Sequence, residues 1–311
     1  MLPDLWRRLV DDLADEGVHA RAVPVERLDD VRARVSRALD DADLPSAVAA
    51  AVADDVAFAL PESHRAWRSV VVFALARPLT RATLTWHGRE HTVPVPPHYA
   101  GYHGVPRAMA RRIDGRLRPA GFAGAHCEPP LKTLAACAGL ARYGRNNIAY
   151  VDGLGSWLQL GACVSDAPPP GDAPWGEPLV LGRCERCTAC LRACPTGAIE
   201  GECFLLHTER CLTYHNESRA PFPDWLELSV HHTAVGCLRC QKACPENHAA
   251  GLVEAPPQTF DEAETAAILA AERDEAEWAG LGPATHDKLE RCGLDYAPAV
   301  VARNLRLLLG P

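Results

Sequence analysis

Four cysteines in "CERCTACLRACPTGAI", residues 184 to 199, stand two, two and three residues apart, and the last precedes a proline. A [4Fe–4S] cluster needs four thiolates converging on a small cube. A Cys-x-x-Cys-x-x-Cys run wraps one loop around three of its corners. Cys184, Cys187 and Cys190 provide that loop. Cys194 comes three residues later, before Pro195, and is expected to begin a helix leading away, because proline at a first helical position gives up an N–H that no helix needs.

A second, shorter run, "GCLRCQKACPEN", supplies Cys237, Cys240 and Cys244 before Pro245. In two-cluster ferredoxins the Cys-Pro cysteine ligates the other cluster. Exchange of fourth ligands gives one set of Cys184, Cys187, Cys190 and Cys244, and a second of Cys194, Cys211, Cys237 and Cys240. Cys211 is drawn from the stretch between the runs; Cys203 is the alternative, and Cys211 is preferred because it lies nearer the second run. Paired zinc sites also use Cys-x-x-Cys, but they do not call for three evenly spaced cysteines and an exchanged Cys-Pro. Cys127, Cys137, Cys163 and Cys292 read as small buried hydrophobes.

Thirteen cysteines patterned in this way suit a reducing compartment better than a disulfide framework. The N-terminal stretch lacks the layout of a signal peptide, and the run "SVVVFALA" is far below the roughly 18 to 20 apolar residues of a membrane span. A cytoplasmic protein without membrane contact is expected. The net charge of −8 opposes a wholly electrostatic nucleic-acid binder. The one basic stretch, residues 106–118 with Arg107, Arg111, Arg112, Arg116 and Arg118, reads first as a solvated helix face and second as a phosphate-binding one.

The elements that must position these groups form an α/β (α+β) chain. Leu5, Leu9 and Leu13, then Leu28, Val31, Val35 and Leu39, recur at helical spacing. Residues 68–76, "RSVVVFALA", carry a continuous β-branched run suited to a buried strand. "ATLTWHGREHTVPV" alternates and turns at His87-Gly88, which predicts a hairpin. A basic helix, a strand near "GFAGAHC", a helix over 131–144 and strands in "NIAYVD" and "GSWLQLGACVS" follow. The Pro/Gly-rich residues 166–178 mark a boundary or a lid. Three sections are expected: 1–170 as an α/β domain, 171–250 as a double-cluster ferredoxin-like domain, and 251–311 as a small helical cap.

Taken together, the first cysteine run, a lone cysteine, and "GCxxCQxxCPxN" resemble the double-cluster section of the epoxyqueuosine reductase family, cobalamin and iron–sulfur proteins related to reductive dehalogenases. "LAACAGLARYGRNN", "GSWLQLGACVSD" and "YAGYHGVPRAMARRI" are similar to further segments of that family. The resemblance implies a nitroreductase-related, cobalamin-binding N-terminal domain fed with electrons by two [4Fe–4S] clusters, with the hard chemistry left to the cofactor. On that footing Gly155, Ser156 and Trp157 help form the corrin pocket, and Tyr143, Gly144, Arg145 and Asn146 form the turn beside it. A reading of Trp157 as a core aromatic stands beside this one.

The departures from the family pattern fall on chemistry. An aspartate thought to donate a proton is missing from "GAHCEPPLKTL", which leaves Glu128 and His126 as candidate acids. Glu128 also reads as a plain loop charge before Pro129. Gly101 replaces the family's acid before Tyr-His, and Arg145 its lysine. The chain is shorter than the family, and with its negative charge this speaks against a queuosine-tRNA substrate. The expected partner is an electron donor such as a flavodoxin or ferredoxin. An electron-transfer or corrinoid-reducing protein without its own substrate is the alternative function; a redox sensor using its clusters structurally is a third.

Overall fold

The computed structural model describes residues 2–41, 44, 46–201 and 206–310. The chain divides into two compact units, Met1–Ala76 with His103–Cys187, and Arg77–Tyr102 with Thr188–Pro311. The division does not follow the composition boundaries near residues 170 and 250, because the hairpin segment joins the later part of the chain.

The first unit is built on a four-stranded antiparallel sheet ordered Val18–Pro24, Ser69–Ala76, Leu158–Ser165, Gly124–Cys127. Side chains of a strand alternate between faces. Val71 and Phe73 therefore meet Trp6, Leu9 and Leu13 of the helix Leu2–Asp15, together with Met109, Ile113 and Leu117 of the helix Gly104–Leu117. Val70, Val72 and Ala74 meet Leu28 and Val31 of the helix Arg27–Asp41 and Leu134 of the helix Leu131–Cys137. Helices on both faces explain the unbroken apolar run. Such runs are usual in parallel sheets, and here the same burial is reached in an antiparallel one. Phe73 stands opposite Gly161, where a Cβ would lie only 2.4 Å from its ring.

The helix expected over residues 131–144 ends at Cys137. Gly139 turns the chain with φ +67°, and Arg142–Tyr143 pairs with Ala149–Tyr150 instead. This local reversal creates the turn at residues 143–147.

In the second unit Thr80–Trp86 and Arg89–Val95 form the expected hairpin. His87 and Gly88 both adopt positive φ, as a two-residue turn matched to strand twist requires. Their N–H groups donate to Glu262 at 2.7 and 3.2 Å. The apolar face of the hairpin packs with the helices Glu262–Ala270, Pro283–Cys292 and Pro298–Leu309. Two elements escaped the periodicity. Gln258–Phe260 adds a strand parallel to Thr80–Trp86, and the helix Pro283–Cys292 opens on its own proline. Among the described residues no helix is long and apolar enough to cross a membrane.

Candidate functional site

The four cysteines expected as the second ligand set, Cys194, Cys211, Cys237 and Cys240, lie within one unit, carried by short helices and loops. Cys211 caps the helix Leu212–Glu217. Burial pushes its thiol up; the N–H groups of Thr213 and Tyr214 and the Thr213 hydroxyl act the other way, and neighbouring Cys194 adds to the rise. Cys237 is pushed up to about 11, first by burial, then by Cys211 and Cys194, against an opposing N–H from Arg239. Three of the four cysteines thus sit within electrostatic reach of one another in a mostly buried place. Gathered thiolates repel unless a cation core lies among them, and N–H groups aimed at sulfur favour the charged form. This donor set fits an iron–sulfur cluster. Among the described residues no group of three or more His, Cys, Asp or Glu side chains could hold a metal ion. Cluster thiolates also stand farther apart than the ligands of one ion, since several irons lie between them. Cys203 lies outside the described residues.

A buried amide network holds the segments bearing Cys211 and Cys237. The Asn216 side chain, on the helix that Cys211 caps, donates to the Gly236 carbonyl at 2.9 Å and to the Thr233 carbonyl at 3.5 Å. The Thr233 hydroxyl also donates to Gly236, at 2.9 Å. Asn304, fully buried on the helix Pro298–Leu309, donates to the Asn216 and Ala234 carbonyls, both at 2.8 Å. Beside this network the Tyr99 hydroxyl donates to Glu217, whose carboxyl is pushed up by burial. Gly236, directly before Cys237, has φ +61°, and a Cβ there would meet the Tyr99 hydroxyl and Pro96 at 2.9 Å. Sequence reasoning missed Asn216, Asn304 and Thr233. Only Asn304 carried a signal, as an asparagine at an otherwise apolar helical position in "VVARNLRLLL".

Of the first set, Cys184 and Cys187 belong to one compact unit, and Cys190 and Cys244 to the other. The Arg145 backbone N–H reaches the Cys184 sulfur at 3.4 Å, and its guanidinium donates to the Cys184 carbonyl. Cys244 caps the helix Pro245–Ala250, as the Cys-Pro rule foresees. Cys194-Pro195 does not: Cys194 ends the helix Ala189–Ala193, and an extended turn follows. With Gly197 only two residues beyond Pro195, no helix propagates from it.

The turn of Tyr143, Gly144, Arg145 and Asn146 is held from inside. The Asn146 amide donates to the Tyr150 hydroxyl at 3.0 Å, and Tyr143 shares a hydrogen bond with Thr133 at 3.3 Å. A Cβ on Gly144 would lie 2.5 Å from both the Asn146 oxygen and the Tyr150 ring. Gly155 bridges back to Val151, and Ser156 and Trp157 are buried at 5% exposure. Such burial suits both readings of Trp157, core aromatic and pocket wall.

His126 Nε2 lies 3.7 Å from Glu128, whose other neighbours are His103 and Arg107, each at 3.8 Å. The Glu128 side chain is 54% exposed. Burial holds the His126 imidazole below its ordinary range, helped by Arg107 and His103 and opposed by Glu128. Beside it a cleft of about 270 Å³ is lined by Arg107, Arg111, Asp114 and His126. Along the basic helix Arg112 and Arg116 pair with Glu16, and Arg118 with Asp114. That pairing is the pattern of a solvated helix face. Cys127, Cys137, Cys163 and Cys292 are buried as expected, and burial pushes Cys127 and Cys292 up to about 12.

Residues 183–247 match the family described as the 4Fe-4S double cluster binding domain. Among curated proteins the chain is 32% identical over 171 residues to the epoxyqueuosine reductase of Shewanella oneidensis, covering 50% of this chain and 42% of that protein. Against the enzyme of a Synechococcus species it is 33% identical over 178 residues, 53% of each. The chain thus spans about half the length of the curated relatives it matches. Among solved structures, epoxyqueuosine reductase from Bacillus subtilis, with its aspartate-bearing catalytic loop swung out of the active site, superposes at a TM-score of 0.65 with 19% identity, covering 99% of this chain and 82% of that one. A structure of epoxyqueuosine reductase with an epoxyqueuosine-modified tRNA stem loop gives a TM-score of 0.64 at 18% identity, with the same coverage. Identity that low shows the fold alone. The chain therefore has the epoxyqueuosine reductase fold, contains a 4Fe-4S double cluster binding domain, and is similar in sequence to the epoxyqueuosine reductases.

Proposed function

We propose that the chain is an iron–sulfur oxidoreductase that passes electrons through two [4Fe–4S] clusters to a cobalamin-type cofactor, for reductive chemistry of the epoxyqueuosine reductase kind. The observation that carries this is that all eight cysteines expected as ligands fall inside the segment matching the double cluster binding domain. Cys184, Cys187, Cys190 and Cys244 would hold one cluster, and Cys194, Cys211, Cys237 and Cys240 the other. In this reading residues up to about 170 form the corrinoid-binding section, 171–250 the cluster section, and the helices after 251 its brace.

When bound, clusters of this type supply single electrons, and a reduced corrin supplies a nucleophilic or radical-generating cobalt. The chain's own residues do the positioning. Arg145 joins the turn of Tyr143, Gly144 and Asn146 to Cys184, so the expected corrin-side turn and the first cluster ligand are fixed together. Gly155, Ser156 and Trp157 would wall the corrin. His126 and Glu128 would hold the proton, with His126 the more covered of the two.

The exposure of Glu128 favours a second reading, an electron-transfer or corrinoid-reducing protein. A group reserved for proton delivery in a site that excludes water is ordinarily covered. The expectation against tRNA meets a counter-observation, since a neighbour of the same fold is held with a modified tRNA stem loop. We retain tRNA as a substrate class to be tested. The electron donor is a flavodoxin or ferredoxin, and the compartment cytoplasmic, in keeping with free thiols.

The experiment is anaerobic reconstitution followed by iron counting and titration with hydroxocobalamin under visible absorbance. About eight irons per chain and a shifted corrin spectrum are expected. No corrin binding sinks the corrin reading. With corrin bound, Glu128→Gln separates the rest: a loss of kcat/KM on an epoxyqueuosine stem loop marks Glu128 as the acid, and no turnover by the unmodified protein leaves the electron-transfer reading.

A further inference from the structure

Two short helices, Ala189–Ala193 and Arg239–Lys242, carry Cys190 and Cys240 and pack side by side within one unit. Their exposed charged side chains are all cationic: Arg192 on the first, Arg239 and Lys242 on the second. Arg192 bonds back to the Thr188 hydroxyl, and among the described residues neither Arg239 nor Lys242 has an ion-pair partner. Burial lowers the Lys242 ammonium, Arg81 and Arg239 lower it further, and Glu254 acts against them, so these groups share one neighbourhood. Glu254 is itself claimed by Arg81, at 2.7 Å. Val253, next to it, is 69% exposed. In a chain of net charge −8, an exposed apolar side chain thus adjoins, through Glu254, the cations of the cysteine-bearing helices.

Crowded like charges on short helices cost stability and need another reason to be there. We propose that Arg192, Arg239, Lys242 and Val253 form the docking site of an acidic electron-carrier protein, which delivers electrons beside Cys190, Cys237 and Cys240. This rests on the reading of the chain as an iron–sulfur oxidoreductase. An apolar contact within a charged rim is the anatomy of a transient protein interface, and complementary charge raises encounter rates. A nucleic-acid strand would want a longer cationic track along its phosphates. The electron passed is the carrier's own, one per encounter, with no bond made or broken.

The test uses the reconstituted chain and an oxidised acidic ferredoxin as probe, with Kd measured by calorimetry across roughly 50 to 300 mM salt. Affinity is expected to fall steeply with salt, and by roughly tenfold or more in the Arg192→Glu, Lys242→Glu double variant at full iron content. The milder Lys242→Gln variant should weaken binding in the same direction and guards against misfolding of the double variant. Salt-independent affinity, or unchanged affinity in both variants, overturns the docking site. So does weakening confined to a tRNA stem loop, which would reassign the face to phosphate. A chain that takes up no iron overturns the underlying reading and this site with it; full iron without carrier binding sinks the docking site alone.

Discussion

Replacing Asn304 with alanine should damage the second cluster site from within the C-terminal helix. The Asn304 amide donates to the Asn216 and Ala234 carbonyls at 2.8 Å each, in a fully buried setting. Alanine supplies neither donor. Each buried carbonyl left short of a partner costs about 1–3 kcal/mol, so the pair costs about 2–4 kcal/mol once some of the loss is absorbed by its second lone pair or by water. That is a large share of the roughly 5–15 kcal/mol that holds a typical domain. The same bonds hold the helix capped by Cys211 to the loop entering Cys237. Loosening them should lower iron uptake from about eight toward about four per chain, with the first set unaffected. The assay pairs thermal unfolding by circular dichroism with iron counting after anaerobic reconstitution. A loss under about 0.5 kcal/mol with full iron content would refute the reasoning, because it would show the amide bonds to be dispensable.

Cys211→Ala should bring iron to about four per chain while Cys203→Ala leaves about eight; the reverse pattern would reassign the inserted ligand to Cys203. Gly144→Ala forces a Cβ within 2.5 Å of Asn146 and Tyr150, so a loss of about 1–3 kcal/mol in thermal unfolding is expected. Gly171→Ala, with open space around it, should be near neutral, and equal effects would discount the steric argument. His231, buried against Phe222 at a centroid distance of 4.6 Å, is lowered to about 4, by burial first and then by Arg303, His232 and His215. A histidine held neutral in the fold contributes stability that is full above the unfolded value near 6.5 and is lost as pH falls through 4. Roughly 3 kcal/mol should disappear over that window, and His231→Phe should flatten the pH dependence of the urea midpoint there. An unchanged pH slope in the variant would refute the assignment.

The elements with strong local signals were legible in the sequence. The His87-Gly88 turn, the amphipathic first helix and the doubly buried strand at residues 69–76 all have one-dimensional patterns that burial enforces. What the pattern missed were features decided at a distance. The strand Gln258–Phe260 exists because the edge of Thr80–Trp86 is open to it, which no window of local sequence reveals. The helix expected through residue 144 stopped at Cys137 because one glycine turn outweighed a good helical composition. The Cys-Pro rule held at Cys244 and failed at Cys194, where Gly197 follows too closely. The cysteines were visible because cluster chemistry fixes their spacing. The amides that brace them were not, because a buried asparagine is recognised only by the carbonyls it meets.

Those amides bear on the choice between Cys211 and Cys203. From sequence alone Cys211 was preferred for its nearness to the second run. The fold adds a mechanical reason. Cys211 caps a helix whose fifth residue, Asn216, is bonded to the loop running into Cys237, and Asn304 ties both to the C-terminal helix. A ligand supplied from an inserted segment must be brought to its partners at an entropic cost of about 1–2 kcal/mol per ordered backbone residue. An insertion tied at Asn216 offsets part of that cost through buried hydrogen bonds, and it holds Cys211 within electrostatic reach of Cys194 and Cys237. The tight coupling of Cys211 to the Cys237 loop, rather than its position in the sequence, is what makes it the ligand to test first.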